Sequence, residues 1–294
     1  MGSLDLPFLL TGTREPEPES RTLSAGPMTV TLQGGNLRTI RFLGHEVLRA
    51  VSFLVRDRDW GTCAAEISDL SIESQSEAFL IRYHARYTAP SGAHLDCDLA
   101  IEASAAGELS FMADCLADAD FETARAGFTV LHPLIGVRGQ PVSVTHGDGT
   151  VEQSRWPENI EPWQPFMDIS AITHRVADGI EAETRFVGDI FEMEDQRNWT
   201  DASYKTYVRP LALPWPYRIE AGVPLRQGVN LTIRASDDAV EAPAADGPIR
   251  LQLANTGLAL PEIGLGLRPE CRDAEMAAVD TLAESGATHL IAHL

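Results

Sequence analysis

Between Met28 and Ala235, apolar and polar residues alternate with a period of two, and no stretch of ten or more residues in that span has helical spacing. A period of two places successive side chains on opposite faces of a strand. "AFLIRYHARY" thus sets Phe79, Ile81, Tyr83, Ala85 and Tyr87 on one face, and Arg82, His84 and Arg86 on the other. "HLDCDLAIEAS" turns Leu95, Cys97, Leu99 and Ile101 inward, and "GELSFMADC" follows at once, so three neighbouring strands form a meander. In "MTVTLQGGNLRTIRFLGHEVLR" the alternation breaks at Gly34-Gly35-Asn36 and again at Gly44, as it does at hairpin turns. The expected fold is mainly β, an antiparallel β-sandwich of many strands over residues 28–235.

Residues 1–27 read as an N-terminal extension. From Val137 to Pro165 Gly, Pro, Trp and polar residues dominate, which predicts a long excursion over one face of the sandwich. "SDDAVEAPAADGP", residues 236–248, is acidic and turn-rich and reads as a linker. Residues 249–294 change character: "PEIGLGL" is a short apolar strand, "DAEMAAVDTLAESG" has helical spacing and a Gly286 stop, and "ATHLIAHL" is a second strand. One β-α-β portion cannot cover both faces of a parallel sheet, so this segment is expected to open a truncated (β/α) barrel domain.

A formal charge of −20 argues against nucleic acid and against an anionic membrane surface, since both need clustered Lys and Arg. No apolar run is long enough to span a bilayer, and "MGSLDLPFLL" has no basic segment of the secretory kind. The cysteines (Cys63, Cys97, Cys115, Cys271) have no C-x-x-C spacing and read as reduced thiols of a cytoplasmic protein. G-x-S-x-G, H-E-x-x-H, P-loop and dinucleotide motifs are absent, which removes the best support for serine hydrolase, zincin and nucleotide-dependent chemistry.

"FEMEDQRNWTDASYKTY", residues 191–207, concentrates polar chemistry: four carboxylates, Arg197, four aromatic rings, and Lys205, the only lysine in the chain. Strand parity puts Glu192 and Glu194 on one face and Phe191, Met193 and Asp195 on the other. Beyond Gln196 the alternation is lost, and on a helical turn Asp201 and Lys205 would be neighbours. Such a set offers a base, cations for a developing oxyanion, and partners for hydroxyl groups. The same residues also suit a solvated clasp between sheets. His146 and Asp148 in the long excursion fit either a ligand contact or an Asp-stabilised turn. Trp156, beside Glu158, Glu161 and Trp163, fits either a sugar platform or packing beneath a loop.

"EMEDQRNWTDASYKTYVRPLALPWPY" and "GGNLRTIRFLGHEVLRAVSFLVRDRDWGT" resemble the D-apionate lactonase family of bacterial sugar catabolism, over nearly the whole chain. The resemblance implies an N-terminal β domain followed by a barrel and a C-terminal β domain, and hydrolysis of D-apionolactone to D-apionate. The residue roles rest on chemistry alone. Glu194 or Asp195 is the expected base, and Lys205 or Arg197 the expected oxyanion partner. Glu192, Asn198, Asp201, Tyr207, His146 and Trp156 are expected to meet substrate, with Trp199 beneath the ring. No cofactor is implied and no metal ligands are assigned, although a divalent metal is left open. The expected partner is a small sugar lactone, with oligomeric state open. A competing site in the barrel would draw on Glu262, His289 or His293. A non-catalytic carbohydrate-binding sandwich and a sugar-epimerase-like sandwich are the alternatives.

Overall fold

A computed structural model describes residues 8, 12–15, 18–199, 201–243, 252, 257, 259 and 261–292. It divides into two compact units, Met1–Ala244 and Ala245–Leu294. The first unit opens with four strands in meander, β1 (Ser20–Ala25), β2 (Met28–Gln33), β3 (Asn36–Phe42) and β4 (His45–Asp57). After the two-residue β5 (Thr62–Cys63) come β6 (Ala65–Ser74), β7 (Ala78–Thr88), β8 (His94–Ser104), β9 (Glu108–Ala117) and β10 (Phe121–Pro133). The second half holds β11 (Pro141–His146), β12 (Val151–Arg155), β13 (Ile169–Ala177), β14 (Ile180–Val187), β15 (Glu192–Asp195), β16 (Ser203–Tyr207), β17 (Tyr217–Ile219) and β18 (Leu225–Ala235).

These strands build two nine-stranded sheets. Sheet A runs β1-β2-β3-β4-β10-β16-β15, with β5 on β4 and β17 on β10; sheet B runs β12-β11-β13-β14-β18-β9-β8-β7-β6. Pairing within both is antiparallel. The β2–β3 hairpin turns on Gly34 and Gly35 at φ +55° and +76°, the left-handed backbone that a two-residue hairpin matched to strand twist requires. Alternating residues of both sheets form one core. Phe79, Ile81, Tyr83, Ala85 and Tyr87 are all buried, as are Leu95, Cys97, Leu99 and Ile101. Phe128 of sheet A ties the layers together, packing edge-on against Phe53 of its own sheet at 5.2 Å and against Phe111 of sheet B at 4.9 Å between centroids. The four cysteines are free thiols.

Several local expectations change. The excursion predicted over 137–165 contains the β11–β12 hairpin, because "PVSVTH" and "VEQSR" are short enough for their alternation to be hidden among turn residues. Ser20–Ala25, assigned to the extension, is the edge strand of sheet A. The described part of the expected linker is held against the β3–β4 hairpin, where Ala242 N donates to Leu43 O at 2.8 Å and a ring nitrogen of His45 lies 2.9 Å from Val240 O. Residues 203–207 are strand, so Asp201 and Lys205 do not share a helical turn.

In the second unit β19 (Gly264–Leu267) and β20 (His289–Ala292) pair in parallel. Between them lie two short helices, α1 (Arg272–Ala277) and α2 (Val279–Glu284). Glu262 is exposed and His289 lies against Gly264, while His293 falls outside the described residues. Among the described residues no helix is long and apolar enough to cross a membrane.

Candidate active site on the outer face of sheet A

Register across β10, β16 and β15 sets the site. Thr129 pairs with Tyr207, which pairs with Glu192; one step along, Leu131 pairs with Lys205, which pairs with Glu194. These residues share the face of sheet A turned away from the core, since their chain neighbours Val130, Tyr204 and Met193 are buried on the inner side. Lys205 Nζ lies 2.7 Å from Glu194 Oε2, with both side chains partly exposed, and the indole N–H of Trp199 donates to Glu194 Oε1. Trp199 itself is 71% exposed.

Beside that pair the face becomes buried. Tyr207 Oη donates to Glu192 Oε1 at 2.6 Å, and Leu211 N donates to the same oxygen at 2.8 Å. Burial, then the adjacent Glu192 carboxylate, pushes the Tyr207 phenol well above its ordinary range, so it stays a protonated donor. Arg125 of β10 places its guanidinium 4.0 Å from the centroid of the Tyr207 ring and 5.2 Å from that of Trp60. Trp60 packs against Trp215 at 5.3 Å. Burial works against the Arg125 charge and lowers its pKa, while Tyr207, Glu194 and Glu192 favour it.

Asp195 and Arg197, expected as base and oxyanion partner, sit elsewhere. Asp195 is fully buried on the inner side and pairs with Arg197 at 2.7 Å. It also accepts the N–H groups of Arg197 and Glu161. Although burial opposes it, these donors hold the Asp195 carboxyl below its ordinary range. Arg197 spends its remaining donors on the carbonyls of Pro157, Glu158 and Asn159, and Asn198 Nδ2 donates to Glu161 O. The three residues fasten the 157–161 segment onto the β15–β16 hairpin, and the Asp195 carboxylate and Arg197 guanidinium spend their hydrogen bonds in doing so.

The structure separates the other expected contacts from the cluster. Trp156 is 1% exposed and packs among His132, Phe166, His174 and Tyr204, so it offers no face to a sugar. His146 closes the β11–β12 end of sheet B, 3.4 Å from Glu152, beside a turn in which Asp148 accepts Thr150 N and Oγ1. Asp201 caps its own turn by accepting Ala202 N and Ser203 Oγ. Glu192, Glu194, Lys205, Tyr207 and Trp199 are thus brought together, whereas Asp195, Arg197, Asn198, Asp201, His146 and Trp156 make their contacts outside that cluster. Among the described residues no three His, Cys, Asp or Glu side chains are placed to hold a metal ion.

Arg125, Trp60 and Trp215 join the cluster although nothing in the sequence reading selected them. For Arg125 a signal exists: in "FETARAGFTVLHP" it is the one cation in a strand that is otherwise almost wholly apolar or small.

Two antiparallel sheets face to face, with a charged and aromatic cluster on the outside of one, define a β-sandwich with an outer-face polar site. The chain belongs to the D-apionate lactonase family: residues 8–236 match the family described as D-apionate lactonase, N-terminal domain. Over 285 residues it is 50% identical to the D-apionate lactonase of Brucella anthropi, covering 97% of this chain and 47% of that protein. It therefore spans about half the length of that curated relative. Among solved structures, the GalM/aldose epimerase homologue from C. elegans is 9% identical over 74% of this chain and 100% of its own, with a TM-score of 0.47. The galactose 1-epimerase from Lactobacillus acidophilus NCFM is 6% identical over 74% of this chain and 99% of its own, with a TM-score of 0.48. Likenesses this remote do not bear on substrate or chemistry.

Proposed function

We propose that this chain contributes to an enzyme that hydrolyses a sugar lactone, D-apionolactone, to the open acid, D-apionate, in the cytoplasm. The observation that carries the reading is the Glu194–Lys205 pair at 2.7 Å, flanked by Tyr207 and Glu192, in a chain half identical to a curated lactonase. In this account Glu194 takes a proton from water as the water oxygen attacks the lactone carbonyl carbon. Lys205 faces the negative oxygen of the tetrahedral intermediate. Collapse breaks the bond between that carbon and the ring oxygen, and the ring oxygen recovers the proton from Glu194. Glu192 acts through Tyr207: it takes the phenol's single O–H and so fixes the phenol oxygen as an acceptor for substrate hydroxyls. Trp199 supplies an exposed flat surface beside the pair.

We infer further that the chain works within a longer polypeptide, as its relative is about twice its length, and that the β19/β20 unit opens a (β/α) barrel. The test is acid release from D-apionolactone by this chain and by the longer protein, each with and without chelator. One acid per lactone consumed supports the reading. Acid release by the longer protein alone would mean that the site needs residues beyond this chain, and no release by either would sink the lactonase assignment.

One feature favours a second reading. Both Glu194 oxygens are already engaged, by Lys205 and Trp199, as in a binding surface that holds sugar without transforming it. Binding of the lactone without acid release would select that alternative.

A further inference from the structure

We propose that Arg125 gives the outer-face site a carboxylate-binding position, so that it holds the ring-opened sugar acid more tightly than a neutral sugar. The inference rests on the outer face of sheet A being the ligand site, as proposed above. Arg125 is 8% exposed, and among the described residues no carboxylate oxygen lies within the 4.0 Å of an ion pair. Its Nε has no hydrogen-bond partner. A buried, permanently charged guanidinium without a counter-ion is costly, and such groups are normally paired.

The nearby carboxylates do not meet this need. Glu192 is taken by Tyr207 Oη and Leu211 N, and Glu194 by Lys205 and Trp199. The guanidinium is instead held by rings, with Tyr207 at 4.0 Å and Trp60 at 5.2 Å, the latter braced by Trp215. Besides the rings, only the Tyr207 side chain takes up a guanidinium donor, and Nε stays unused. A register shift between Thr123 and Arg125 brings the side chain to this face.

Charge decides which ligand suits such a cation. A lactone is neutral, whereas the ring-opened product carries one carboxylate, and a guanidinium matches a carboxylate with two parallel N–H donors. In a chain of net charge −20 an anion is received only where cations are gathered, and Arg125 and Lys205 both lie against the ring of Tyr207.

Calorimetric titration of the longer protein with D-apionate and with the neutral alditol of the same carbon skeleton tests this without any turnover, so it is independent of whether the lactone is hydrolysed. The wild type is expected to bind the acid at least roughly tenfold more tightly than the alditol, the weight of about one charge-assisted hydrogen bond. Arg125→Gln should abolish that preference, and Arg125→Lys should restore part of it. Rising salt should weaken wild-type binding of the acid and leave the alditol unchanged, a comparison that stands even if the variants fail to fold. Equal binding of the two ligands, binding of neither, a salt-insensitive preference, or a preference that survives in Arg125→Gln would each overturn the proposal.

Discussion

Glu194 and Lys205 lie directly opposite each other on β15 and β16, with Oε2 and Nζ 2.7 Å apart on the outer face of sheet A. Eleven positions of chain separate them, and the antiparallel pairing of β15 with β16 brings them together. Because both side chains are partly exposed, the pair adds little to stability, about 0–1 kcal/mol. The sole lysine of the chain is thus held where it does little for the fold.

Lys205→Met in the longer protein is expected to lower kcat for lactone hydrolysis by about 10²–10³, the typical loss when one oxyanion donor is removed. Thermal unfolding should move little. A large drop in melting temperature with kcat preserved would instead mark Lys205 as a structural residue. Steady-state kinetics and a melting curve on the same preparation read both.

Asp195→Asn should behave in the opposite way. Breaking a buried ion pair leaves Arg197 uncompensated and is expected to cost about 3–5 kcal/mol. Urea unfolding would show it, and limited proteolysis should cut near 157–161, the segment those two residues fasten. A variant as stable as wild type would contradict the clasp.

Trp156→Ala tests a second relocation. Emptying the space between His132, His174 and Tyr204 should cost about 3–5 kcal/mol. Ligand affinity in the fraction that stays folded should be unchanged. A selective loss of affinity at full stability would return Trp156 to the binding surface.

His132 and His174 are fully buried, and burial lowers their pKa values to about 3 and about 4. Unfolded, each titrates near 6.5, so between about pH 6.5 and pH 4 the unfolded chain binds protons that the folded chain does not. Stability should therefore be flat above about pH 6.5 and fall below it, by about 1.4 kcal/mol per pH unit for each histidine. His174→Leu should remove one histidine's share of that slope. Urea midpoints at a series of pH values give the answer, and an unchanged slope would contradict it.

The contrast between Trp156 and Trp163 shows where sequence reading reaches its end. Both sit in one irregular stretch rich in Pro and Glu, yet one is 1% and the other 76% exposed. No local pattern separates them, because the difference arises from where "RWP" meets the core after β12. The meander of β7, β8 and β9 was legible because alternation there is long and unbroken. Parity likewise placed Glu192 and Glu194 together and Asp195 opposite them. Reading Asp201 and Lys205 as helical neighbours failed because "SYKTY" resumes strand pairing, and that depends on β10, some seventy residues earlier. Arg125 was hidden for the same reason: its nearness to Tyr207 is a matter of register between distant strands. Long-range pairing, unlike periodicity, leaves little local trace.

The most direct test of the central claim is the pH-stat rate of D-apionolactone hydrolysis by the longer protein carrying Glu194→Gln, beside wild type. Removing the base should lower kcat by about 10²–10⁴, the usual contribution of a positioned base, with the melting temperature nearly unchanged. Hydrolysis at the wild-type rate by a folded Glu194→Gln protein would contradict it and move the chemistry away from the outer face of sheet A.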